Sequence, residues 1–241
     1  MKTSLDNLLS RLKRDEIANL SVIGFIENNP VSEAIEIGRS FLVKGTSDVE
    51  WVYLGCESRE EFRALLEKAG GDNYNFASVG DWLVPLITGT GETELTLAAM
   101  RSYLPRTTEV PENSAAVVPL TAGYADFIIS QSNYKQFLTR AYVEARLARS
   151  FSAAIFEKGE LAAWGLTHDD GALGALHVLE EYRGKGYGRE ILISLIRQSR
   201  KLGKVPYVQI EEKNSRAGGL AGSLGFVKDR MVNWIKLRHK G

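Results

Sequence analysis

Residues 178–192, VLEEYRGKGYGREIL, set glycines at 184, 186 and 188 between Arg183 and Arg189 and then pass into an apolar helical pattern. Without a Cβ, main-chain N–H groups can turn inward and approach a ligand closely, and a helix that begins there adds its positive end. Bare backbone beside positive charge suits an anion, above all a phosphate. Between Arg183 and Lys204 stand seven basic residues (Arg183, Lys185, Arg189, Arg197, Arg200, Lys201, Lys204) and one acid, Glu190. That is a local anion site in a chain whose 30 basic residues balance 30 acidic ones. Overall neutrality argues against an electrostatic pull toward nucleic acid or an anionic membrane.

The rest of the composition describes a folded protein. At 241 residues the chain has room for one large domain or two smaller ones, and 44% hydrophobic with 25% charged residues is ordinary for a globular protein. Cys56 is the single cysteine, so no internal disulfide forms; it reads as a buried apolar filler in a reducing cytoplasm. The opening residues carry leucines at helical spacing interrupted by Asp6, Asp15 and Glu16, against a signal or transit peptide. No apolar run is long enough to span a bilayer, and a soluble cytoplasmic protein is expected.

Pro105, Pro111 and Pro119 fall where hydrophobic periodicity is lost, placing a boundary near residues 105–118. Before it we expect a helix on Leu5, Leu8, Leu9 and Leu12, a strand over LSVIGFIE (20–27), and strands SFLVKG and VEWVYLGC around the turn GTSD. A helix follows over 58–71 with Ser58 and Glu61 in a capping-box pattern and Gly70 and Gly71 as its stop. A strand NFASV, a candidate helix at DWLVPLI and a strand ETELTLAAM complete this half. After the boundary the pattern gives a helix over 134–149 with an apolar face of Phe137, Ala141, Ala145 and Ala148. Strands SAAIFEK, LAAWGLTH and ALGALHVL come next, then a helix with a stripe of Ile191, Leu192, Leu195, Ile196 and Leu202 closing at Gly203. A strand VPYVQIE, a short helix from Ser215 and a strand MVNWIKL end the chain. Both halves mix helices and strands, which gives an α+β class with sheets covered by helices.

Two common phosphate loops are excluded by spacing: neither G-x-x-x-x-G-K-[ST] nor G-x-G-x-x-G fits Gly184, Gly186 and Gly188. The remaining pattern is R-x-x-G-x-G between a strand and a helix. This loop resembles the coenzyme A site of the GNAT acyltransferase superfamily. The later segment NSRAGGLAGSLGF resembles that superfamily's N-x-x-A-x-x-L-Y-x-x-x-G-F at Asn214, Ala217, Leu220, Gly225 and Phe226. Residues 161–188 look most like the glycine N-acyltransferase-like branch, whose members often carry a degenerate, related N-terminal half. The resemblance covers about residues 120–237.

It implies two tandem GNAT-like domains, 1–110 degenerate and 118–241 the acyltransferase, each a mixed, mostly antiparallel sheet flanked by helices. It further implies acetyl-coenzyme A as co-substrate. The backbone at Val178, Leu179 and Glu180 would pair with the pantetheine arm, and the amides of Arg183, Gly184, Lys185, Gly186, Tyr187, Gly188 and Arg189 would cradle the pyrophosphate. An N–H near Val178 would polarise the thioester carbonyl, and Asn214 would steer the pantetheine. The acyl group would pass directly to the amine of a small molecule or amino acid.

Only an uncharged amine attacks, and free amines have pKa values of about 8 to 10.4, so a base is expected. The candidates are His177, Glu180, Glu181 and Glu211, with His177 and Glu211 on strands that splay apart around the cofactor in this superfamily. Ala221 stands where the motif has its tyrosine acid, with Tyr182, Tyr187 and Tyr207 as replacements to weigh. The alternative to an enzyme is a non-catalytic acyl-coenzyme A sensor; a nucleic-acid-binding domain fits less well. Trp51, Trp82, Trp164 and Trp234 read as core or cleft walls, and His168 with Asp169 as a turn. No metal-ligand spacing occurs.

Overall fold

The early leucines form α1 (Leu5–Leu12), which buries Leu8 and Leu12. Residues 20–27 correct the expected strand: they form a helix, α2 (Leu20–Asn28), buried from Leu20 through Ile26. An apolar run enclosed on every side carries no periodicity that separates helix from strand, so tertiary burial decides. β1 (Val31–Ile37), which the sequence reading did not anticipate, pairs with β2 (Ser40–Thr46), and β2 pairs with β3 (Glu50–Gly55). α3 (Arg59–Ala69) starts at Ser58, whose Oγ accepts from the Glu61 amide at 3.1 Å. The Glu61 carboxylate takes the Ser40 hydroxyl, so Ser58 supplies the cap without that side chain. Gly70, at φ 58°, ends the helix; Gly71 lies outside the described residues. β4 (Asn75–Val79), α4 (Val84–Thr88) and β5 (Thr93–Tyr103) follow the expected order.

α5 (Ala125–Gln131) had no sequence counterpart. Within the span 134–149, α6 occupies Arg140–Arg149, and Tyr134 and Phe137 lie outside the described residues. Its buried face is Val143, Arg146 and Leu147, while Ala141 and Ala148 are exposed. Burying Val or Leu gains about 1.5–3 kcal/mol and alanine has far less to bury, so the larger side chains set the rotation. β6 (Ser152–Glu157), β7 (Glu160–Thr167) and β8 (Leu173–Val178) form an antiparallel sheet. α7 (Tyr187–Lys201) buries Ile191, Leu192, Leu195 and Ile196 as expected. Leu202 falls just beyond the helix and is 64% exposed, so it leaves the stripe. A Cβ on Gly165 of β7 would meet Ile191 at 2.7 Å and Leu195 at 2.9 Å, so α7 lies directly on that strand. β9 (Tyr207–Ile210), α8 (Ser215–Ser223) and β10 (Val227–Leu237) complete the elements.

This is a computed structural model, and it describes residues 4–70, 73–132, 135 and 138–238. Its class is mixed α+β. Two compact units are Met1–Arg101 with Asp229–Gly241, and Ser102–Lys228. In the first unit six strands run in the hydrogen-bonded order β1-β2-β3-β4-β10-β5, with β3 and β4 parallel. Sequence order put β10 at the end of the second half; it pairs with β4 of the first unit at Asn233↔Val79 and Ile235↔Phe76. Arg101 of β5 and Asp229 of β10 anchor the returning strand. Arg101 Nε donates to Asp229 at 2.8 Å, and its Nη2 donates to the Ile17 and Ala18 carbonyls at 2.8 and 3.1 Å. Asp229→Ala strands that buried guanidinium and should cost about 3–5 kcal/mol, read as a fall in the denaturation midpoint; an unchanged midpoint would show that the pair does not hold the strand.

Candidate active site

Three glycines of the loop play two different parts. Gly184 and Gly186 have φ of 81° and 82°, and an added Cβ would meet nothing within 4 Å at either, so backbone conformation and not crowding demands glycine there. Gly188 is an ordinary helical residue whose Cβ would stand 3.6 Å from Leu176, Val178 and Leu220, an ordinary contact distance, so neither backbone conformation nor crowding demands glycine there. Gly186 is the N-cap of α7 and no side chain caps this end. The first amides of a helix have no intrahelical acceptor, so they are offered outward. The first unit gives the contrast: the start of α3 is capped by Ser58 and carries Glu60 and Glu61 in its first turn. The start of α7 carries one acid, Glu190, whose carboxylate accepts from Asn113 and Ser114, so the two helix starts differ chiefly in that a side chain caps α3 and none caps α7.

The charge around the loop is narrower than the sequence suggested. Arg197 pairs with Glu112 at 2.7 Å, and Arg200 donates to the carbonyls of Thr108 and Pro105 at 2.7 and 2.8 Å. These two hold residues 105–112 against the far end of α7. Arg183, Lys185 and Arg189 remain at the loop, all exposed. Lys185 Nζ stands 5.1 Å from the Tyr182 ring and 5.9 Å from that of Tyr187, whose hydroxyl bonds Glu157. Arg189 Nη1 reaches Ser223 of α8 at 3.4 Å.

The strand before the loop is shaped by a bulge. Trp164 pairs with His177 and Leu166 with Gly174, so three steps on β8 span two on β7, and Ala175 takes φ 45°. The Leu179 amide donates to Ala162 and its carbonyl accepts from Tyr182, so both of its main-chain groups are engaged within the protein. By antiparallel alternation the N–H and C=O of Val178 then face away from β7. The Val178 carbonyl accepts from Arg183 Nε at 3.3 Å. On the far side β9 is not hydrogen-bonded into the sheet of β8. The two strands are tied near their starts: Tyr207 donates its hydroxyl to the Asp170 carbonyl at 2.6 Å, and Gln209 bonds the Asp170 carboxylate at 3.0 Å. Asp170, buried at the β7–β8 turn, was missed by the sequence reading, which looked to its neighbour Asp169. Its signal would have been an aspartate flanked by a glycine two strands before a Tyr-x-Gln pattern.

The candidate bases sit in different surroundings. Glu180 is 88% exposed with Arg183 at 3.7 Å, and Glu181 is exposed. Glu211, directly after β9, pairs with Lys213 at 2.7 Å and is 12% exposed. His177 is half-buried and stacks on Trp164 at 4.7 Å between ring centroids. Burial, and then the nearby Arg183 charge, holds its imidazole below the usual range, which favours the neutral form. Phe127 of α5 meets the same indole edge-on at 5.7 Å. Val178 packs with α7 on one face of β8, and His177 with Trp164 looks to the other. At the position of the motif's tyrosine acid, Ala221 is buried in the core; of the replacement tyrosines, Tyr207 is engaged with Asp170 and Tyr187 with Glu157, and Asn214 caps α8 by accepting from the Ala217 amide at 3.1 Å.

Residues 151–235, from the start of β6 nearly to the end of β10, match the family model described as FR47-like protein. No curated protein matches the chain in sequence. A Drosophila protein solved by a structural genomics consortium has 18% identity and a TM-score of 0.82, with 99% of this chain and 98% of that one covered. A GCN5-related N-acetyltransferase from Kribbella flavida has 15% identity and a TM-score of 0.59, covering 93% and 95%. A tandem GNAT protein from the clavulanic acid biosynthesis pathway has 16% identity and a TM-score of 0.52, covering 92% and 89%. The chain has the fold of the GNAT acetyltransferases. Among the described residues no helix is long and apolar enough to cross a membrane, and no group of three metal-binding side chains occurs.

Proposed function

We propose that this GNAT-fold protein is an acyl-coenzyme A-dependent N-acyltransferase, with the acyltransferase domain expected over 118–241 carried by the second unit, Ser102–Lys228, and the first unit, which also takes in Asp229–Gly241, as a degenerate companion of the same kind. The observation that carries the reading is the uncapped, left-handed glycine start of α7 beside Arg183, Lys185 and Arg189. Acetyl-coenzyme A bound there would supply an activated acyl group as a thioester. The amides of residues 184–188 hold the diphosphate, and Asn214 contributes from the start of α8. The Val178 N–H, facing away from β7, stabilises negative charge as it develops on the carbonyl oxygen. His177, neutral at pH 7, takes the proton from the attacking amine and returns it to the departing sulfur; a thiol pKa near about 8.5 makes that sulfur a tolerable leaving group without a tyrosine acid.

The acceptor side is the face of β8 that carries His177. On α6, packed against β7, Arg146 is 3% exposed, and among the described residues its Nε and Nη1 have no hydrogen-bond partner; its guanidinium stands 5.7 Å from the centre of the Tyr142 ring. An arginine does not shed its proton, so an unpaired buried guanidinium costs several kcal/mol, about what a bound anion returns. The acceptor we assign is therefore an amine that also carries a carboxylate.

The test is to mix the protein with acetyl-coenzyme A and a panel of amines and follow free thiol. Thiol release that depends on amine, favours carboxylate-bearing acceptors and loses that preference in Arg146→Gln is the expected result. Tight binding with no turnover on any amine would instead establish the sensor reading, which the buried Ala221 at the tyrosine position favours.

A further inference from the structure

The first unit has no glycine loop, yet it holds a recess of about 210 Å³ between the ends of β3 and β4. At about 30 Å³ per water that is room for roughly seven waters, or for a small aromatic acid. Phe41, Tyr53 and Trp82 contribute aromatic walls, and Trp82 is 45% exposed at the surface. Two guanidinium groups, Arg101 and Arg230, line the space, and no carboxylate does. Both donate through Nε to one acid, Asp229, at 2.8 and 3.1 Å, which leaves one positive charge in excess. Because Arg101 is buried, that excess is screened less than a surface charge would be. Cys56 lines the recess as a neutral thiol: burial, with the Glu61 charge second, pushes its pKa up to about 12. Ser78, also on the wall, keeps φ at 54° inside β4 with its hydroxyl on Ser21, and strained backbone of this kind persists where the surroundings enforce it.

We propose that the first unit binds a small organic monoanion, its carboxylate at Arg230 and its apolar or aromatic body between Phe41, Tyr53 and Trp82. The ligand is not a coenzyme A: the nearby helix start, α3, is capped by Ser58 and lined with Glu60 and Glu61. This site is independent of the acyl-transfer reading of the second unit.

Phenylacetate and its neutral amide, phenylacetamide, are the probes, titrated into the full chain with binding followed by saturation-transfer NMR. Phenylacetate should bind at least about tenfold more tightly, the worth of one charge-assisted contact. Arg230→Gln, at a half-exposed position, should erase that preference. Gly80→Leu should abolish both, because a Cβ there meets only Trp82 Cδ1 at 3.8 Å and Gly80 already has φ −70°, so the new side chain fills the mouth without straining the chain. Denaturation midpoints of both variants should match the parent. Binding of neither probe at about 10 mM, equal binding of the two, or phenylacetate binding that both variants leave unchanged would each overturn the proposal.

Discussion

Valine in place of Gly186 should weaken coenzyme A binding by at least about a hundredfold. Gly186 holds φ 82° at the cap of α7, and a side-chain-bearing residue pays about 1–2 kcal/mol to stay there. A chain that relaxes toward negative φ turns the first amides of α7 away from the diphosphate. Losing two hydrogen bonds to a charged group removes more than about 3 kcal/mol, and each 1.4 kcal/mol is tenfold. Since the added Cβ meets nothing within 4 Å, the fold itself should survive, and circular dichroism with calorimetry separates the two effects. Gly188→Ala is the control: its Cβ would rest at ordinary contact distance from Leu176, Val178 and Leu220, so affinity should change little. Equal coenzyme A affinity in the Gly186→Val protein would place the cofactor elsewhere.

His177→Ala should lower kcat by about two to three powers of ten with little change in the KM for acetyl-coenzyme A. The pH profile distinguishes a proton acceptor from a packing residue. Burial first, and Arg183 second, depress the imidazole below its usual 6.5, so the neutral base is present at pH 7 and is lost only as pH falls through the lowered value. Activity should therefore rise with pH through neutrality as the acceptor amine deprotonates, and show a further acid limb where the imidazole titrates below its usual value; His177→Ala should lose that acid limb and keep the rise set by the amine. The same shift makes the folded state bind a proton less readily than the unfolded chain, so this group's contribution to stability also falls as pH drops below 6.5. An acid limb that persists in the variant would pass the role to Glu211.

The loop was legible because backbone need and charge both write themselves into residue type: Gly184 and Gly186 can be little else, and Arg183, Lys185 and Arg189 stand exposed beside them. The β2–β3 hairpin of the first unit and the β6–β7–β8 strands of the second were legible from alternation and turn residues. Other features depend on what the chain meets in space. LSVIGFIE became α2 because it is enclosed on all sides, which no local pattern records. β1 was missed because its seven residues include Ser32, Glu33 and Glu36, so its apolar signal is weak. Arg197 and Arg200 looked like ligand-binding charges and instead grip residues 105–112, a contact some ninety positions away in sequence. Leu179 fell in the expected cofactor strand, but only the register with β7 reveals that its amide is taken by Ala162. Arg146 lay hidden on a face where alanines are also spaced for a helix, and at the bulge the left-handed conformation falls on Ala175 and not on its neighbour Gly174, which residue type does not foretell.

The most direct measurement is an amide NMR titration of the full chain with coenzyme A. The result expected is that the largest shifts fall on the amides of residues 184–188, at the start of α7. Shifts absent there, or largest around α3 and the recess of the first unit, would contradict the placement on which the acyltransferase reading rests.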